Sequence, residues 1–289
     1  MNNYYKKFLC SPVTVIAILV LVLFFPLFIN KTLYFRDISM QDFPLTDFVS
    51  NSISNLEFPL WNPYMFCGFP QMASLQPPLF YPFTFFYYLF PFNIAMGLFL
   101  LIHYVISGYG VYLIGKYFKL NKISSLLGGI VFALNSFMFE LNSLQFMLIA
   151  ISWFPFIFLS IEKLLDEKNN KNFISLTIFL MLQVSTGRLD FVYFSLFIGF
   201  LQISYRLLKD KDLKNISIKT IFIGLSALVA ISSLAIQVLP SLEFVQSTKR
   251  GTGISIETST MFSLNPKQLV MFLFNNIFGD TFYNRGISP

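Results

Sequence analysis

The sequence predicts an all-α polytopic membrane protein, and its composition and long apolar segments are the basis of that prediction. Of 289 residues, 55% are hydrophobic and 12% are charged, with a mean hydropathy of +0.66, whereas an ordinary soluble domain is about 25% charged. A helix needs roughly 20 apolar residues to cross a bilayer. We predict seven spans, of which the third to sixth are short enough to be tilted, broken or partly buried: 10–30, 93–115, 123–140, 144–162, 172–187, 190–207 and 217–240.

The first span is expected to stay attached to the mature protein. Its apolar run, residues 11–29, follows YYKK, which is a pattern also found in signal peptides. No small-residue cleavage site follows the run, however, and a signal peptide requires one. We therefore interpret the segment as an uncleaved anchor.

The basic residues predict the orientation of the helices. Lys and Arg are in excess in cytoplasmic loops, and a cytoplasmic N-terminus places most of the 20 basic residues on the inner side. Arg188, Lys249 and Arg250 fall on the outer side. The two long segments, 31–92 and 241–289, fall there too. We therefore predict an integral protein of the cytoplasmic membrane whose chemistry faces the extracytoplasmic side.

Two regions are predicted on this basis. Residues 1–243 form the transmembrane bundle together with the outer loop 31–92, and residues 244–289 form an outer segment after the seventh span. The outer loop combines prolines with dense aromatics, which favours short helices along the membrane surface. The ending FYNRGISP resembles neither a helix terminus nor a basic tail, so we expect the chain to be the N-terminal part of a longer protein.

Three aspartates open the outer loop, in YFRDISMQDFPLTDF at residues 34–48. Asp42 precedes a predicted helix with a proline in its first turn, so it suits either a helix N-cap or a catalytic role. Asp47 fits a solvated helix face. Asp37 has no evident capping role. Because five residues of α-helix turn by about 500°, the three carboxylates converge only if the backbone contains a turn or an unwound segment.

Cations on the outer side form the second candidate feature. Lys249 and Arg250, in SLEFVQSTKRGTG at residues 241–253, suit either a phosphate clamp or attraction to anionic headgroups. Arg188 and Asp190, in STGRLDF at residues 185–191, either pair only with each other or contribute to a site. Glu140 and Asn142 fall in a turn on the same side.

Several function classes lack the residues they need. His103 is the single histidine, which argues against a histidine metal cluster or a serine triad, and a packed role for it is as plausible as a functional one. Cys10 and Cys67 have no metal-ligand spacing. No G-x-x-x-x-G-K-[ST] or G-x-G-x-x-G motif is present. The net charge of +6 is scattered, so no nucleic-acid partner is expected.

The order of Asp37, QDFP, WNPYMFCGFPQMASLQPPLFYP and QVLPSLEFVQSTKR resembles the bacterial YfhO-type membrane proteins, of the GT-C superfamily of glycosyltransferases. The most specific part is Trp61, Asn62 and Pro63 with Gly68 and Pro70. The resemblance spans nearly the whole chain. It implies a GT-C-like bundle that transfers a sugar from a polyprenyl-phosphate carrier to an extracytoplasmic acceptor, a cell-envelope glycopolymer or glycolipid such as lipoteichoic acid.

The resemblance also implies that acidic residues of the first outer loop serve catalysis. Asp37 leaves the first span at the membrane surface, whereas Asp42 and Asp47 suit local helix roles. Asp37 is therefore expected to be the general base, and Asp42 its alternative or a supporting ligand. A divalent cation, if one is needed, would bind to this pair, but a cofactor is left open. STGRLDF departs from the GHPQ turn associated with the family, so that Arg188 stands near the place of the histidine. The expected substrate-binding residues are Trp61, Asn62, Arg188, Glu243, Lys249 and Arg250.

Two functions from other classes stay open at this point. A lipid or polysaccharide transporter or flippase would place polar residues at mid-membrane depth, whereas the unusual charges of this chain concentrate on one side. A non-catalytic membrane assembly protein would need none of the acidic residues for chemistry.

Overall fold

The structure is a computed structural model that describes residues 11–29, 31–35, 37–209 and 213–249 and, beyond these, 251, 253–260, 263, 266 and 269–270. The side chains of 213–215 lie outside this description. The chain divides into two compact units, Met1–Leu242 and Glu243–Pro289. Regular structure in the described residues is helical, and their one β-feature is an isolated bridge between Asn62 and Phe69.

The α-helices are numbered here in chain order. They are α1 (Pro12–Phe24), α2 (Phe43–Ser54), α3 (Phe86–Leu89), α4 (Phe92–Tyr117), α5 (Lys122–Ala133), α6 (Ser136–Glu140), α7 (Gln145–Ser152), α8 (Phe154–Asp166), α9 (Asn170–Val184), α10 (Leu189–Lys209), α11 (Leu213–Ser233), α12 (Ala235–Gln246) and α13 (Ile256–Thr260). A π-helix covers Ile38–Asp42, and 3₁₀ helices cover Phe25–Ile29, Gln71–Ser74, Pro82–Phe85 and Leu141–Leu144.

Five helical stretches in the described residues are long and apolar enough to cross a membrane. They are Pro12–Ile29, Phe92–Tyr117, Lys122–Asp166, Leu189–Lys209 and Ile216–Ser233. Seven spans were predicted, and two features account for the smaller number of long stretches. The fifth predicted span corresponds to α9, whose 15 residues extend only about 22 Å, short of the roughly 30 Å of a bilayer core. The third and fourth predicted spans belong to the single stretch Lys122–Asp166.

That 45-residue stretch is a broken helix that passes along α4 twice. The first part of the stretch runs antiparallel to α4. Ser125 lies against Gly115 near the end of α4, and Met138, further along the stretch, accepts a hydrogen bond from Tyr104 at 2.9 Å. The chain then returns, because Tyr117 at the end of α4 hydrogen-bonds Asp166. Asn135 starts a new helix within the stretch, since its side chain accepts from the Met138 amide at 2.9 Å. The sequence thus predicted the two passes and allowed for breaks in them, but not where the breaks would fall.

Helix α4 forms the centre of the bundle. Ala95, Met96, Phe99, Leu100 and Tyr104 are all buried in the same hydrophobic core. Small residues allow α5 to approach it closely. A Cβ atom added to Gly129 would lie 2.4 Å from the carbonyl oxygen of Gly108. Such close contacts between backbones are a common way to pack helices in membranes.

The outer helices of the bundle expose apolar side chains. Val22 on α1, Phe200 on α10 and Leu228 on α11 are 69%, 61% and 61% exposed. Large contiguous apolar surfaces are rare on soluble monomers. This distribution suits helices whose outer faces contact lipid.

Charged side chains join four helices at one end of the bundle, here called the clamp end (Tyr117, Glu162, Asp166, Arg206 and Lys219). Arg206 donates to Glu162 at 2.8 Å and to Asp166 at 2.7 Å. Lys219 donates to the carbonyls of Leu165 at 2.5 Å and Asp166 at 3.1 Å, the last carbonyls of α8. Cations at a helix C-terminus are favourable. The ends of α4, α8 and α10 and the first turns of α11, all predicted to lie on the cytoplasmic side, therefore meet at the same end of the bundle.

The segment 31–92 folds over the opposite end and contains the predicted short helices. Its Trp-Asn-Pro and Gly-x-Pro motifs form a tight hairpin, because Asn62 and Phe69 exchange backbone hydrogen bonds at 2.7 and 2.9 Å. Gly68 has φ of +125°, and a Cβ atom there would lie 2.3 Å from the Trp61 ring. The pattern that carried the family resemblance thus has a structural role here.

Tyr81 anchors the same segment to the bundle. Its hydroxyl group hydrogen-bonds Nε2 of His103 on α4 and accepts from Trp153 Nε1 at 2.9 Å. His103 is fully buried, and its Nδ1 contacts the Phe99 carbonyl oxygen. Of the two readings left open for His103, the structure supports the packed, hydrogen-bonded one.

Thiol labelling tests the orientation of the two ends. Cys67 is exposed in the predicted outer segment, and Lys168 is exposed in the loop that follows α8 at the clamp end. In a Cys10→Ser background, Cys67 should react with a membrane-impermeant maleimide on intact cells. Lys168→Cys, made in a Cys10→Ser, Cys67→Ser background, should react only after permeabilisation. Labelling of Lys168→Cys on intact cells would contradict the orientation.

Candidate active site

A π-helical turn brings two of the three aspartates together. The Phe43 amide donates to the carbonyl of Ile38, five residues back, which is the π-helical pattern. Residues five apart, which diverge on an α-helix, lie close to one face of such a turn. Asp37 and Asp42 therefore line the same cavity. Sequence analysis required a turn or an unwound segment for the aspartates to converge, and this π-helical turn supplies it for Asp37 and Asp42.

Of the two alternatives left open for Asp42, the structure does not support the helix N-cap. Asp42 has helical dihedral angles, φ −64° and ψ −46°, and its side chain makes no capping hydrogen bond. The reason is continuity of the backbone. The π-helix passes directly into α2, so the first amide of α2 already has a carbonyl partner and needs no cap.

The cavity of Asp37 and Asp42 lies at the end of the bundle opposite the clamp end. It measures about 40 Å³ and is lined by Asp37, Gln41, Asp42, Gln76, Leu144, Phe146, Met147 and Arg188. We call this region the carboxylate end and define it by those residues. The cavity has room for a few water molecules but not for a sugar. Larger reactants must therefore meet the half-buried Asp37 from outside.

Asp42 is the most strongly perturbed acid of this region. It is 2% exposed, and its Oδ2 atom is buried without a hydrogen-bond partner. Burial, reinforced by the nearby charge of Asp37 and opposed by the Gln145 amide, raises the pKa of Asp42 to about 7. A buried carboxyl disfavours its charged form. Asp42 therefore exchanges a proton near neutral pH.

A buried polar chain continues from Asp42 into the bundle. Gln145 begins α7, and its Oε1 accepts from the Tyr87 hydroxyl at 2.8 Å. Its amide nitrogen is near enough to influence Asp42, yet Gln145 Nε2 and Asp42 Oδ2 both lack a properly directed hydrogen-bond partner. Unpartnered buried polar groups are costly. This pair is the least satisfied part of the carboxylate end.

The turn after α9 places Arg188 in the cavity wall. Gly187 has φ of +74°, and a Cβ atom there would lie 2.2 Å from the Leu75 carbonyl oxygen, so only glycine allows the turn to lie against this loop. Next to Leu75, Gln76 accepts a hydrogen bond from Gln41 at 2.8 Å. Segments distant in sequence thereby converge beside Asp37.

Arg188 also forms the predicted pair with Asp190. Its Nε and one terminal nitrogen donate to the two Asp190 oxygens at 3.0 and 2.6 Å. The pair is partly accessible, with side-chain exposures of 21% and 48%. Pairing and cavity lining therefore coexist, and one guanidinium nitrogen stays outside this bidentate contact.

The other predicted site residues lie elsewhere. Asp47 is exposed on α2, as expected, and accepts from Asn51 at 3.1 Å. Asn62 is buried and uses its side chain internally, donating to Gln71 at 3.2 Å and accepting from the Tyr64 amide at 3.0 Å. Trp61 covers Gly68. Glu140 is exposed, Asn142 accepts from Tyr104 at 2.9 Å, and neither lines the cavity.

The predicted phosphate clamp falls in the second unit. Glu243 and Lys249 are exposed there. Arg250 lies outside the described residues. Phosphate binding by Lys249 and Arg250 therefore stays a prediction.

The described residues hold no group of three or more His, Cys, Asp or Glu side chains arranged to bind a metal ion. A divalent cation at the carboxylate end would have Asp37, Asp42 and amide oxygens as protein ligands. Ca²⁺ and Mg²⁺ prefer oxygen ligands, and Mg²⁺ is commonly bound by one or two carboxylates together with substrate phosphate. The donor set fits such a cation only if a substrate completes it.

Sequence reasoning missed the glutamines of the site. Gln41, Gln76 and Gln145 lie beside the carboxylates, and none was predicted. Gln145 had a usable signal, because it is a polar residue inside the apolar run LQFMLIAI, and polar residues in such runs are often functional. Gln41 and Gln76 had none, since their role depends on how the outer loop folds.

No protein-family model matches the chain, and no curated protein or solved structure is significantly similar to it. Inference about its function therefore rests on the chemistry of the carboxylate end.

The raised pKa of Asp42 predicts how stability depends on pH. An unfolded aspartate has a pKa of about 4, whereas Asp42 in the folded protein has one of about 7. Between these values the folded protein holds a proton that the unfolded chain has released, so the free energy of unfolding falls as pH rises. From pH 5 to pH 8 the loss is at most about 3 kcal/mol, and Asp42→Asn should abolish it.

Thermal unfolding of the purified protein at both pH values measures this effect. Wild type should lose several degrees more in Tm than Asp42→Asn does between pH 5 and pH 8. Asp47→Asn, on the exposed face of the same helix, should behave like wild type. Identical pH dependence in wild type and Asp42→Asn would contradict the assignment.

Proposed function

We propose that the protein is a membrane glycosyltransferase that moves a sugar from a polyprenyl-phosphate carrier to a cell-envelope acceptor on the extracytoplasmic side. The observation that carries the proposal is the convergence of Asp37, Asp42 and Arg188 at one end of an apolar helical bundle. Sugar transfer from a lipid phosphate needs a proton acceptor for the incoming hydroxyl group. It also needs positive charge near the departing phosphate. The carboxylate end offers both kinds of group.

A lipid-linked donor suits the architecture. The carrier's prenyl chain dissolves in the bilayer, so its phosphate reaches the surface where the helices end. The exposed apolar faces of α1 and α10 suit a bundle surrounded by such lipids. Under this proposal the bundle is GT-C-like, the short helices of segment 31–92 lie along the membrane surface, and the N-terminus is cytoplasmic.

Asp37 is the proposed general base. It is half-buried at the wall of a cavity too small for a sugar, so an acceptor hydroxyl group outside can reach it. Asp42 is 2% exposed, which favours a supporting role. The hydroxyl oxygen attacks the anomeric carbon, the bond from that carbon to the phosphate oxygen breaks, and Asp37 takes the hydroxyl proton. The second product is polyprenyl phosphate.

Arg188 is the proposed partner of the donor phosphate. Its guanidinium group forms a planar fork that suits phosphate oxygens, and its pair with Asp190 at 2.6 Å holds the side chain beside the carboxylates. Lys249 and Arg250 stay proposed as a second phosphate contact. The remaining proposed substrate contacts are Trp61, Asn62 and Glu243. The role of Asn62 is indirect, because its buried side chain shapes the hairpin.

Substitution of Asp37 tests the proposed reaction. Asp37→Asn keeps the size of the side chain and removes the proton-accepting charge, so transfer should fall by roughly 10²- to 10⁴-fold. Glu167→Gln, at an exposed acid in the loop that follows α8, is the control and should stay near wild type, since Glu167 lies outside the cavity lining. The assay measures sugar transfer from a radiolabelled polyprenyl-phosphate donor by the purified protein.

Three results would contradict parts of the proposal. Near-normal transfer by Asp37→Asn would remove Asp37 as the base, and a dead Asp42→Asn beside an active Asp37→Asn would move the base to Asp42. Absence of transfer, with movement of lipid-linked sugar across vesicle membranes, would instead favour the flippase alternative. Neither transfer nor movement would favour a non-catalytic assembly protein.

A further inference from the structure

A second and larger depression lies beside the carboxylate end. This groove, here called the α2 groove, has a volume of about 540 Å³, within the range typical of ligand sites. One wall is a face of α2 and the other is the hairpin that follows it. Its lining residues are Phe43, Pro44, Asp47, Phe48, Asn51, Ser52, Asn55, Glu57, Asn62, Tyr64 and Met65.

The lining combines hydrogen-bonding side chains with aromatic rings. Asp47 and Asn51 are spaced four residues apart, so they share one face of α2, and Asn55 follows at the C-cap of that helix. Opposite them, Tyr64 is 85% exposed and its ring meets Phe48 edge-on, with centroids 6.1 Å apart. Amides and carboxylates donate to and accept from hydroxyl groups, while rings cover C–H faces. The chemistry fits a chain of sugar or polyol units.

The groove is built before any ligand binds. The Asn62 side chain accepts from the Tyr64 amide at 3.0 Å and donates to Gln71 at 3.2 Å. Asn51 is held by Asp47 at 3.1 Å. These contacts fix both walls, so little conformational entropy is lost on binding.

The charge of the groove narrows the choice of ligand. Asp47 and Glu57 are both exposed, and among the described residues that line the groove there is no Lys, Arg or His. A phosphate-rich polymer would meet two carboxylates without a compensating cation. An uncharged, hydroxyl-rich ligand meets only hydrogen-bonding partners.

The position of the groove relates it to the proposed chemistry. Phe43 and Pro44 line it and directly follow Asp42 in sequence, at the point where the π-helix passes into α2. The groove therefore begins at the residue next to Asp42 in the chain. We infer that the α2 groove binds the acceptor, and that the acceptor is an uncharged, hydroxyl-rich glycan rather than a polyanion such as lipoteichoic acid. The identification of the bound glycan as the acceptor rests on the proposed function, but glycan binding itself does not depend on transfer.

Direct binding to the purified full chain tests the inference without requiring catalysis. The probes are fluorescent tetrasaccharides of glucose, galactose and N-acetylglucosamine, and a glycerol phosphate oligomer of similar length. Anisotropy is measured in a detergent without a sugar headgroup, so that the micelle does not compete. At least one neutral probe should bind at least 10-fold more tightly than the oligomer at low salt.

Variants locate the binding. Asn51→Ala and Tyr64→Ala should each weaken the neutral probe at least 5-fold. Tyr193→Ala, at a tyrosine that is 65% exposed on α10, should bind as wild type does. The double variant Asp47→Asn, Glu57→Gln should reduce the preference over the anionic oligomer.

The outcomes separate the inference from the proposed function. If a neutral probe binds in a way that depends on Tyr64 but no sugar transfer is measured, the groove remains a glycan site and the proposed glycosyltransferase activity is contradicted. Transfer with tighter binding of the anionic oligomer, or neutral binding unchanged by both groove variants, would overturn the inference alone. Failure of every neutral probe to bind at millimolar concentration would also overturn it.

Discussion

The carboxylate end depends on one backbone hydrogen bond. In the π-helical turn Ile38–Asp42, the Phe43 amide donates to the carbonyl of Ile38, five residues back. With ordinary α-helical bonding, Asp37 and Asp42 would diverge. In the π-helix they line one cavity, where burial and the charge of Asp37 raise the pKa of Asp42. π-helical turns are frequent at functional sites, and the cost of the unpartnered Asp42 Oδ2 makes a purely structural origin for this arrangement less plausible.

The two ends of the bundle treat their charges differently. At the clamp end, Arg206 bridges Glu162 and Asp166, and Lys219 donates to two backbone carbonyls, so each charged side chain has a partner. At the carboxylate end, Asp42 is buried without a hydrogen-bond partner for Oδ2. A paired network stabilises the packing of helices, whereas an unsatisfied acid is poised to exchange a proton or bind a ligand. This contrast supports placing the chemistry at the carboxylate end.

Much of this organisation could be predicted from the sequence, because it depends on composition and local pattern. The apolar helices, the aspartates as a group and the Arg188–Asp190 pair follow from such signals. The way the spans are divided did not, since the break at Asn135 and the shortness of α9 depend on packing. The N-cap alternative for Asp42 failed because it assumed a new helix start where the chain was already helical. Gln41 and Gln76 depend on contacts between distant segments, which no local pattern reveals.

The coupling between the two aspartates is the central claim, and one titration tests it most directly. In the purified protein labelled with ¹³C at the aspartate carboxyls, the Asp42 signal, assigned through its loss in Asp42→Asn, would be followed against pH in wild type and in Asp37→Asn. The predicted midpoint is about pH 7 in wild type and lower in Asp37→Asn, because a neighbouring negative charge is removed. An Asp42 midpoint near pH 4, or one unchanged by Asp37→Asn, would contradict the claim that these two carboxyls share a buried site.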